Sequence, residues 1–128
     1  MDLLIIDSSA EVMERLHELL SEEASFCTIH RAYSCEEAAN VMRQINLAVI
    51  LMDSTLYKCS QGGLLRKMIQ ERSSIAFIVL SNGGDDFLFS SSRRRGRDFL
   101  VDKYDEFEKI PGIVNKIAAD IKGKNYVT

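Results

Sequence analysis

Two kinds of hydrophobic pattern alternate along the chain. Apolar runs without polar interruption occur at LLII (3–6), LAVILM (47–52) and IAFIVL (75–80), and weaker runs occur at FCTIH (26–30) and DFLV (98–101). These runs predict β-strands, and the uninterrupted ones are typical of strands that are buried on both faces. Between the strands, apolar residues recur three or four positions apart, which predicts amphipathic helices.

Capping residues indicate where the first two helices begin. The first helix is predicted over Glu11–Glu23, with Ser8 or Ser9 as its N-cap. The second is predicted to begin at Ser34, because Glu37 follows three positions later at the spacing of a capping box.

The remaining helices are predicted from their apolar stripes and from one proline. A fourth helix is expected from about Phe87 to Arg95, and Pro111 suits the first turn of the last helix. The polar segments 53–61 and 81–86 are expected to be loops. The apolar faces expected to pack on the sheet are Val12, Leu16, Leu19 and Leu20; Ala38, Val41 and Met42; Leu64, Leu65, Met68 and Ile69; and Ile113, Ile117 and Ile121.

The order of these elements, βαβαβαβαβα, predicts an α/β domain. Strands that alternate with helices form a parallel sheet covered by helices on both faces, with right-handed crossovers. A chain of 128 residues is the length of one such domain.

Composition and charge narrow the classes of function. The net charge of −3 argues against general nucleic-acid binding, although the last 64 residues carry 12 basic and 9 acidic side chains. The longest apolar runs are too short to cross a bilayer, and no basic leader precedes LLII, so we expect a cytoplasmic protein. Cys27, Cys35 and Cys59 show no C-x-x-C spacing, and we expect free thiols in a reducing compartment.

Polar residues follow four of the five predicted strands. In open parallel sheets, ligands bind beyond the carboxyl ends of the strands, so these residues are the candidates for chemistry. They are Asp7, Ser8 and Ser9 after strand 1, Asp53, Ser54 and Thr55 after strand 3, Ser81 and Asn82 after strand 4, and Asp102 and Lys103 after strand 5.

These residue types favour phosphoryl chemistry. Two carboxylates at one edge suit Mg²⁺, which accepts one or two carboxylates and keeps several waters. An ammonium and a hydroxyl nearby complement an anion such as phosphate, and an aspartate can itself be the nucleophile. By strand alternation, the side chain of Asp102 should point away from that of Lys103, so we assign it no role.

With these motifs in place, the sequence resembles the receiver domains of two-component response regulators. The resemblance rests on LLIID (3–7), ILMD (50–53) with Gly62 downstream, VLS (79–81) and GRDFLVDK (96–103). It implies a doubly wound, flavodoxin-like sheet with strand order 2-1-3-4-5. It also implies a receiver domain over residues 1–122 and a short C-terminal tail over 123–128.

The resemblance further implies a role for each matched residue. Asp53 would accept a phosphoryl group from a histidine kinase or phosphotransfer protein. Mg²⁺ would be held by Asp7, Asp53 and the backbone carbonyl of Thr55. Ser81 would contact the phosphoryl oxygens as the switch hydroxyl, and Lys103 would pair with the carboxylate and then with the phosphoryl group. A downstream protein partner or a missing output domain would receive the signal, and a homodimer is a further expectation.

Several positions depart from the family pattern. Ser8 replaces a second acidic residue, Tyr104 replaces a proline, and Leu100 replaces a switch aromatic, with Phe99 one position away. The loop over 53–62 is about one residue longer than usual and lacks its proline. These departures motivate an alternative hypothesis, a degenerate receiver that acts as an interaction module independent of phosphorylation.

Other hypotheses remain open at this point. The fold also permits a flavodoxin-like redox protein or an aspartate-dependent phosphatase, although no second aspartate stands two residues after Asp7 and no glycine-rich phosphate loop follows strand 1. His17 and His30 are expected to lie away from the site. The basic run Arg93, Arg94, Arg95 and Arg97 is a candidate partner surface or a favourable charge at a helix C-terminus, and no DNA-reading motif accompanies it.

Overall fold

The computed structural model describes residues 1–24, 27–58, 61–72, 74–82 and 97–127, with side chains as far as residue 121. Five strands form one parallel sheet in the order β2-β1-β3-β4-β5, as predicted. The elements are β1 (Asp2–Ile6), α1 (Ala10–Glu23), β2 (Thr28–Ala32), α2 (Cys35–Gln44), β3 (Val49–Asp53), α3 (Ser54–Lys58), α4 (Gly62–Glu71), β4 (Ala76–Ser81), β5 (Asp98–Asp102), a 3₁₀ helix (Phe107–Lys109) and α5 (Ile110–Val127).

Side-chain alternation along the strands divides the core into two layers. On one face, β1, β3 and β4 pack against α2, α3 and α4, and on the other they pack against α1 and α5. Leu4 and Ile50 belong to the first layer, whereas Leu3 and Leu51 belong to the second. Because helices cover both faces, every residue of β3 and β4 is buried, which explains their uninterrupted apolar sequences.

The helix starts follow the predicted capping chemistry. Ser9 Oγ accepts a hydrogen bond from the backbone N–H of Val12, so Ser9 is the cap of α1. Ser34 Oγ accepts from the N–H of Glu37, and the Glu37 carboxylate accepts from the N–H of Tyr33, one residue before the cap. Each cap satisfies backbone donors that have no partner inside the helix.

Two predicted element bounds were wrong. The second strand covers Thr28–Ala32 instead of 26–30, because its backbone pairs with Asp2–Ile6 over the full length of β1. Residues 54–58, which we predicted as a loop, form the short helix α3, in which Tyr57 is buried against Phe77. The aromatic contact gives this segment an apolar anchor that its polar sequence did not indicate.

One predicted apolar face was partly wrong, and another was confirmed but incomplete. In α4, Leu65 and Ile69 face the sheet, but Leu64 is 57% exposed because it lies about 100° around the helix from Leu65. In α5, Ile110 and Val114 are fully buried. The predicted residues Ile117, Ile113 and Ile121 also contact the core, the last two only in part.

The end of the chain is more helical than predicted. The backbone of α5 continues to Val127, so most of the segment assigned to a tail is helix, and Gly123 lies within it. Glycine is common just past helix ends, so Gly123 gives little local signal that the helix continues. The helix predicted over 87–95 lies outside the described residues.

Cys27 and Cys35 are thiols that form no disulfide within the described residues, as predicted, and Cys59 lies outside those residues. Within the described ranges, no helix is both long enough and apolar enough to span a membrane.

Candidate functional site

Buried polar side chains concentrate at the carboxyl edge of the sheet. Within the described residues six polar or charged side chains are buried, and all but Asp98 lie at this edge: Asp7, Asp53, Ser54, Ser81 and Lys103. They are contributed by the ends of β1, β3, β4 and β5 and by the start of α3. Burying a charge is unfavourable unless a partner compensates it, so this concentration indicates a functional site.

Lys103 joins the two buried carboxylates. Its Nζ atom lies 2.9 Å from Asp53 Oδ1, to which it donates a hydrogen bond, and 2.9 Å from Asp7 Oδ2. Burial alone would lower the pKa of Lys103, but the hydrogen bonds and charges of Asp53 and Asp7 outweigh it and raise the pKa above its ordinary value. The ammonium is therefore charged at neutral pH and compensates one of the two negative charges.

Backbone hydrogen bonds hold the segments that carry these side chains. The N–H of Lys103 donates to the carbonyl of Ser81 (2.8 Å), which ties the ends of β5 and β4 together. The N–H of Asp7 donates to the carbonyl of Ala32 (3.1 Å), and Asp7 Oδ1 accepts from the N–H of Ser9 (2.8 Å). The carboxylate of Asp7 is thus fixed by the first turn of α1.

Asp102 shapes the turn that follows Lys103. Its Oδ1 atom accepts hydrogen bonds from the backbone N–H groups of Asp105 (2.8 Å) and Tyr104 (2.9 Å), and these bonds lower the pKa of Asp102. The side chain therefore serves the turn and not the buried site, in agreement with the expected strand alternation. Tyr104 is 74% exposed.

Sequence reasoning gave Asn82 no role, although it noted the residue at a strand end. Its Nδ2 atom lies 3.3 Å from Asp53 Oδ1, 3.3 Å from Ser54 Oγ and 3.2 Å from Thr55 Oγ1. Asn82 follows β4 directly, and Ser54 and Thr55 begin α3, so the amide connects two neighbouring strand ends. The only sequence signal for a role of Asn82 is its position directly after a strand, because ligands bind beyond strand ends in sheets of this kind.

The other predicted site residues lie at the same edge. Ser81 is the last residue of β4 and is buried. Thr55 is in the first turn of α3 and is exposed. Asp7, Asp53, Ser81 and Lys103 are thus brought to one edge, although Asp53 and Lys103 are 50 positions apart in the chain.

The donor set of this edge fits a hard divalent cation. Within the described residues, the buried Asp7 Oδ2 is paired with Lys103 Nζ at 2.9 Å and accepts no further hydrogen bond. Two carboxylates against one ammonium leave a formal charge of −1, which attracts a cation. No cluster of three or more His, Cys, Asp or Glu side chains suited to a metal ion occurs in the described ranges, but Mg²⁺ needs only one or two carboxylates.

The structure also shows where the residues that depart from the receiver pattern lie. Phe99 packs in part into the core layer of α1 and α5, whereas Leu100 is 38% exposed on the other face of the sheet, as alternation predicts. Ser8, beside Asp7, is exposed. No switch aromatic therefore occupies the Leu100 position.

Two groups of predicted residues do not join the site. Arg97 precedes the first residue of β5 and so lies at the edge of the sheet opposite to the one that carries Asp53. Its backbone carbonyl accepts a hydrogen bond from the N–H of Phe77 (2.7 Å). Arg93, Arg94 and Arg95 lie outside the described residues. His17 Nδ1 accepts from Arg31, and His30 Nε2 lies 2.9 Å from Asp2 Oδ1, so both histidines lie away from the site, as predicted.

Several solved structures with a similar backbone are receiver domains. The signal receiver domain of a DNA binding response regulator protein from Colwellia psychrerythraea 34H has a TM-score of 0.78 at 17% identity and covers 93% of this chain and 98% of that one. The chain has the receiver-domain fold. A response regulator receiver domain protein from Clostridium thermocellum gives a TM-score of 0.75 at 20% identity, covering 99% and 98% of the two chains. The BeF3-activated receiver domain of DrrB has a TM-score of 0.73 at 18% identity and covers 92% of this chain and 97% of that one.

The likeness to these structures spans nearly the whole chain, so the receiver fold accounts for almost all of it. No protein-family model and no curated protein matches the sequence. The resemblance inferred from the sequence motifs is confirmed for the fold, and the roles of individual residues follow as proposals.

Proposed function

We propose that this chain is a phosphoacceptor receiver domain in two-component or phosphorelay signalling, with Asp53 as the phosphorylated residue. The observation that carries the proposal is the convergence of Lys103 on Asp53 and Asp7, with 2.9 Å to an oxygen of each. A buried aspartate beside a second carboxylate and a charged lysine, at the carboxyl edge of a parallel sheet, is suited to phosphoryl transfer.

Asp53 acts as the nucleophile in this proposal. A carboxylate oxygen attacks the phosphorus of a phosphohistidine or a small phosphodonor, and the bond from phosphorus to the leaving group breaks. The electron pair of that bond goes to the leaving group, which then takes up a proton. The product is an acyl phosphate on Asp53.

Lys103 and Ser81 supply contacts for the transferred group. The raised pKa of Lys103 keeps its ammonium charged, so it can offset the negative charge that the phosphoryl group brings into a buried site. The hydroxyl of Ser81 would donate to a phosphoryl oxygen. Because that bond forms only in the phosphorylated protein, it would favour the active conformation, which is a shift of population.

Mg²⁺ would be held by Asp7, Asp53 and the backbone carbonyl of Thr55. When bound, the ion supplies electrostatic neutralisation of phosphoryl oxygens. The buried Asp7 Oδ2, which within the described residues is paired only with Lys103, supports this assignment because a carboxylate oxygen there can also bind a cation.

The proposed partners follow from the proposed reaction. A histidine kinase or phosphotransfer protein would donate the phosphoryl group, and a downstream protein or an output domain would respond. We propose action in the cytoplasm, a homodimer as one form of the response, and no direct contact of this domain with nucleic acid or membrane. The chain would catalyse only its own phosphorylation and dephosphorylation, and the similar structures are described as receivers, not as enzymes.

A second candidate function is a degenerate receiver that binds a partner without phosphorylation. The observation in its favour is that Leu100, which stands where the family usually has a switch aromatic, is 38% exposed, and that Tyr104 is 74% exposed. The exposed Ser8 also adds no charge where the family usually has an acid.

Phosphorylation by a small phosphodonor distinguishes the two functions. With Mg²⁺ and acetyl phosphate, intact mass spectrometry should detect one phosphoryl group on the wild type and none on Asp53→Asn. Asp120→Asn, which removes an exposed carboxylate in α5, is the matched control and should be phosphorylated like the wild type. A folded wild type that gains no phosphoryl group at any Mg²⁺ concentration would overturn the first proposal and favour the second.

A further inference from the structure

Asn82 lies on the solvent side of the buried carboxylate. Asp53 is 5% exposed, and its Oδ1 atom has hydrogen bonds from Lys103, which is buried, and from Asn82, which is exposed. The same amide nitrogen lies 3.3 Å from Ser54 Oγ and 3.2 Å from Thr55 Oγ1. Asn82 therefore joins the buried Asp53 carboxylate to an exposed side chain.

The chemistry of the amide fixes its orientation. A carboxylate only accepts hydrogen bonds, so the group that faces Asp53 must be the NH₂ of Asn82 and not its carbonyl. Two N–H bonds are shared among three oxygen acceptors, at distances at the long end of the hydrogen-bond range. Contacts at these distances are weak and can be exchanged for one shorter hydrogen bond to a phosphoryl oxygen.

We propose that Asn82 controls access to Asp53 and the lifetime of its phosphoryl group, an inference that rests on the proposed phosphoacceptor function. Before transfer, the bulk of the side chain has to move off Asp53 for phosphorus to reach the carboxylate. After transfer, the NH₂ group donates to a phosphoryl oxygen and holds the side chain between the phosphorus and solvent.

The second effect acts on hydrolysis. In that reaction a water oxygen attacks the phosphorus, the bond from phosphorus to the Asp53 oxygen breaks, and its electron pair restores the carboxylate. The water loses a proton to solvent, and inorganic phosphate leaves. An amide that stays over the phosphoryl group keeps attacking water out of line, so its removal should accelerate this step.

Two variants separate the bulk of Asn82 from its hydrogen-bond donors. Asn82→Ala removes both, whereas Asn82→Leu keeps a side chain of similar size without donors. Loss of one ordinary hydrogen bond changes a rate by roughly fivefold, which sets the size of the expected effects. Because Asn82 is exposed, both variants should fold, and urea unfolding checks this.

The experiment measures the rate of phosphorylation by acetyl phosphate with Mg²⁺ and the rate of dephosphorylation after the donor is removed. Asn82→Ala should be about fivefold faster than the wild type in both. Asn82→Leu should be phosphorylated no faster than the wild type but should lose its phosphoryl group as fast as Asn82→Ala. Equal rates in all three proteins would overturn the inference while leaving the proposed function intact.

Two further outcomes distinguish this inference from the proposed function. Phosphorylation of Asn82→Ala but not of the wild type would show that the side chain closes the site, and it would overturn the phosphoacceptor function of the wild-type protein. Absence of phosphorylation in every variant would overturn the phosphoacceptor function and this inference with it.

Discussion

The ammonium of Lys103 lies 2.9 Å from an oxygen of Asp53, and both side chains are buried at the end of the sheet. The two residues are placed by neighbouring parts of the sheet, since β5 pairs with β4 and β4 pairs with β3. Their contact makes the pocket both a structural ion pair and a candidate phosphoryl site.

Replacement of Lys103 by methionine should destabilise the protein strongly. The variant leaves Asp7 and Asp53 buried without a positive charge, and loss of one partner of a buried ion pair costs about 3–5 kcal/mol. Urea unfolding should show this loss as a lower midpoint with an unchanged slope.

The exposed Lys116 in α5 provides the control, and Lys116→Met should change the free energy of unfolding by less than about 0.5 kcal/mol. In the Lys103→Met background, Asp7→Asn should restore part of the lost stability, because it removes one uncompensated charge. A Lys103→Met protein as stable as the control variant would show that the buried ion pair does not stabilise the fold.

The stability contributed by Lys103 should decrease only at alkaline pH. Its pKa is raised in the folded protein, so its stabilisation is fully present below the pKa of the unfolded chain and is lost as pH rises through the folded-state pKa. The difference in unfolding free energy between wild type and Lys103→Met should therefore be constant near neutral pH and should shrink only above the ordinary lysine pKa. A difference that already decreases between neutral pH and the ordinary lysine pKa would contradict the raised pKa of Lys103.

Asp102 should stabilise the turn after Lys103 in a pH-dependent way. Hydrogen bonds from Asp105 and Tyr104 lower the pKa of Asp102, so its contribution is present above the unfolded-state pKa and is lost as pH falls through the folded-state pKa. Asp102→Ala should lower the unfolding midpoint at neutral pH. Asp102→Asn, which keeps an acceptor oxygen, should lose less, and a reversal of this order would exclude the turn as the cause.

An added carboxylate at position 8 should strengthen magnesium binding. Ser8 is exposed beside Asp7, so Ser8→Asp introduces a further negative charge near the site without disturbing the core. Isothermal titration with Mg²⁺ should show affinity at least several-fold higher than the wild type, because a unit charge acts on a divalent ion at short range. Ser8→Asn, which has nearly the same shape without the charge, should bind Mg²⁺ like the wild type. If the two variants bind equally, the cation does not occupy this pocket.

The strands could be predicted because burial leaves a strong signal in the sequence, whereas their order was implied by the resemblance to receiver domains. Residues 47–52 and 75–80 contain no polar position, since both faces of β3 and β4 are covered by helices. The site residues could be predicted for a related reason. Parallel strands end at one edge, so the polar residues that terminate them are brought together whatever their distance in the chain.

Features that depend on packing across the molecule could not be predicted. Helix α3 is short and polar at its start, and it is anchored by the contact of Tyr57 with Phe77, which no local pattern reveals. The contacts of Asn82 with Asp53 and Thr55 likewise depend on how the ends of β4 and β3 are juxtaposed. The bounds of β2 were missed because an edge strand is only partly buried and has a weaker hydrophobic pattern.

Chemical mapping of the phosphorylated residue tests the central claim most directly. Borohydride reduces an acyl phosphate of aspartate to homoserine, so the modified position can be read by peptide mass spectrometry after treatment with acetyl phosphate and Mg²⁺. We predict homoserine at position 53 and at neither Asp7 nor Asp102. Homoserine at another aspartate, or none in a folded protein that still binds Mg²⁺, would contradict the account.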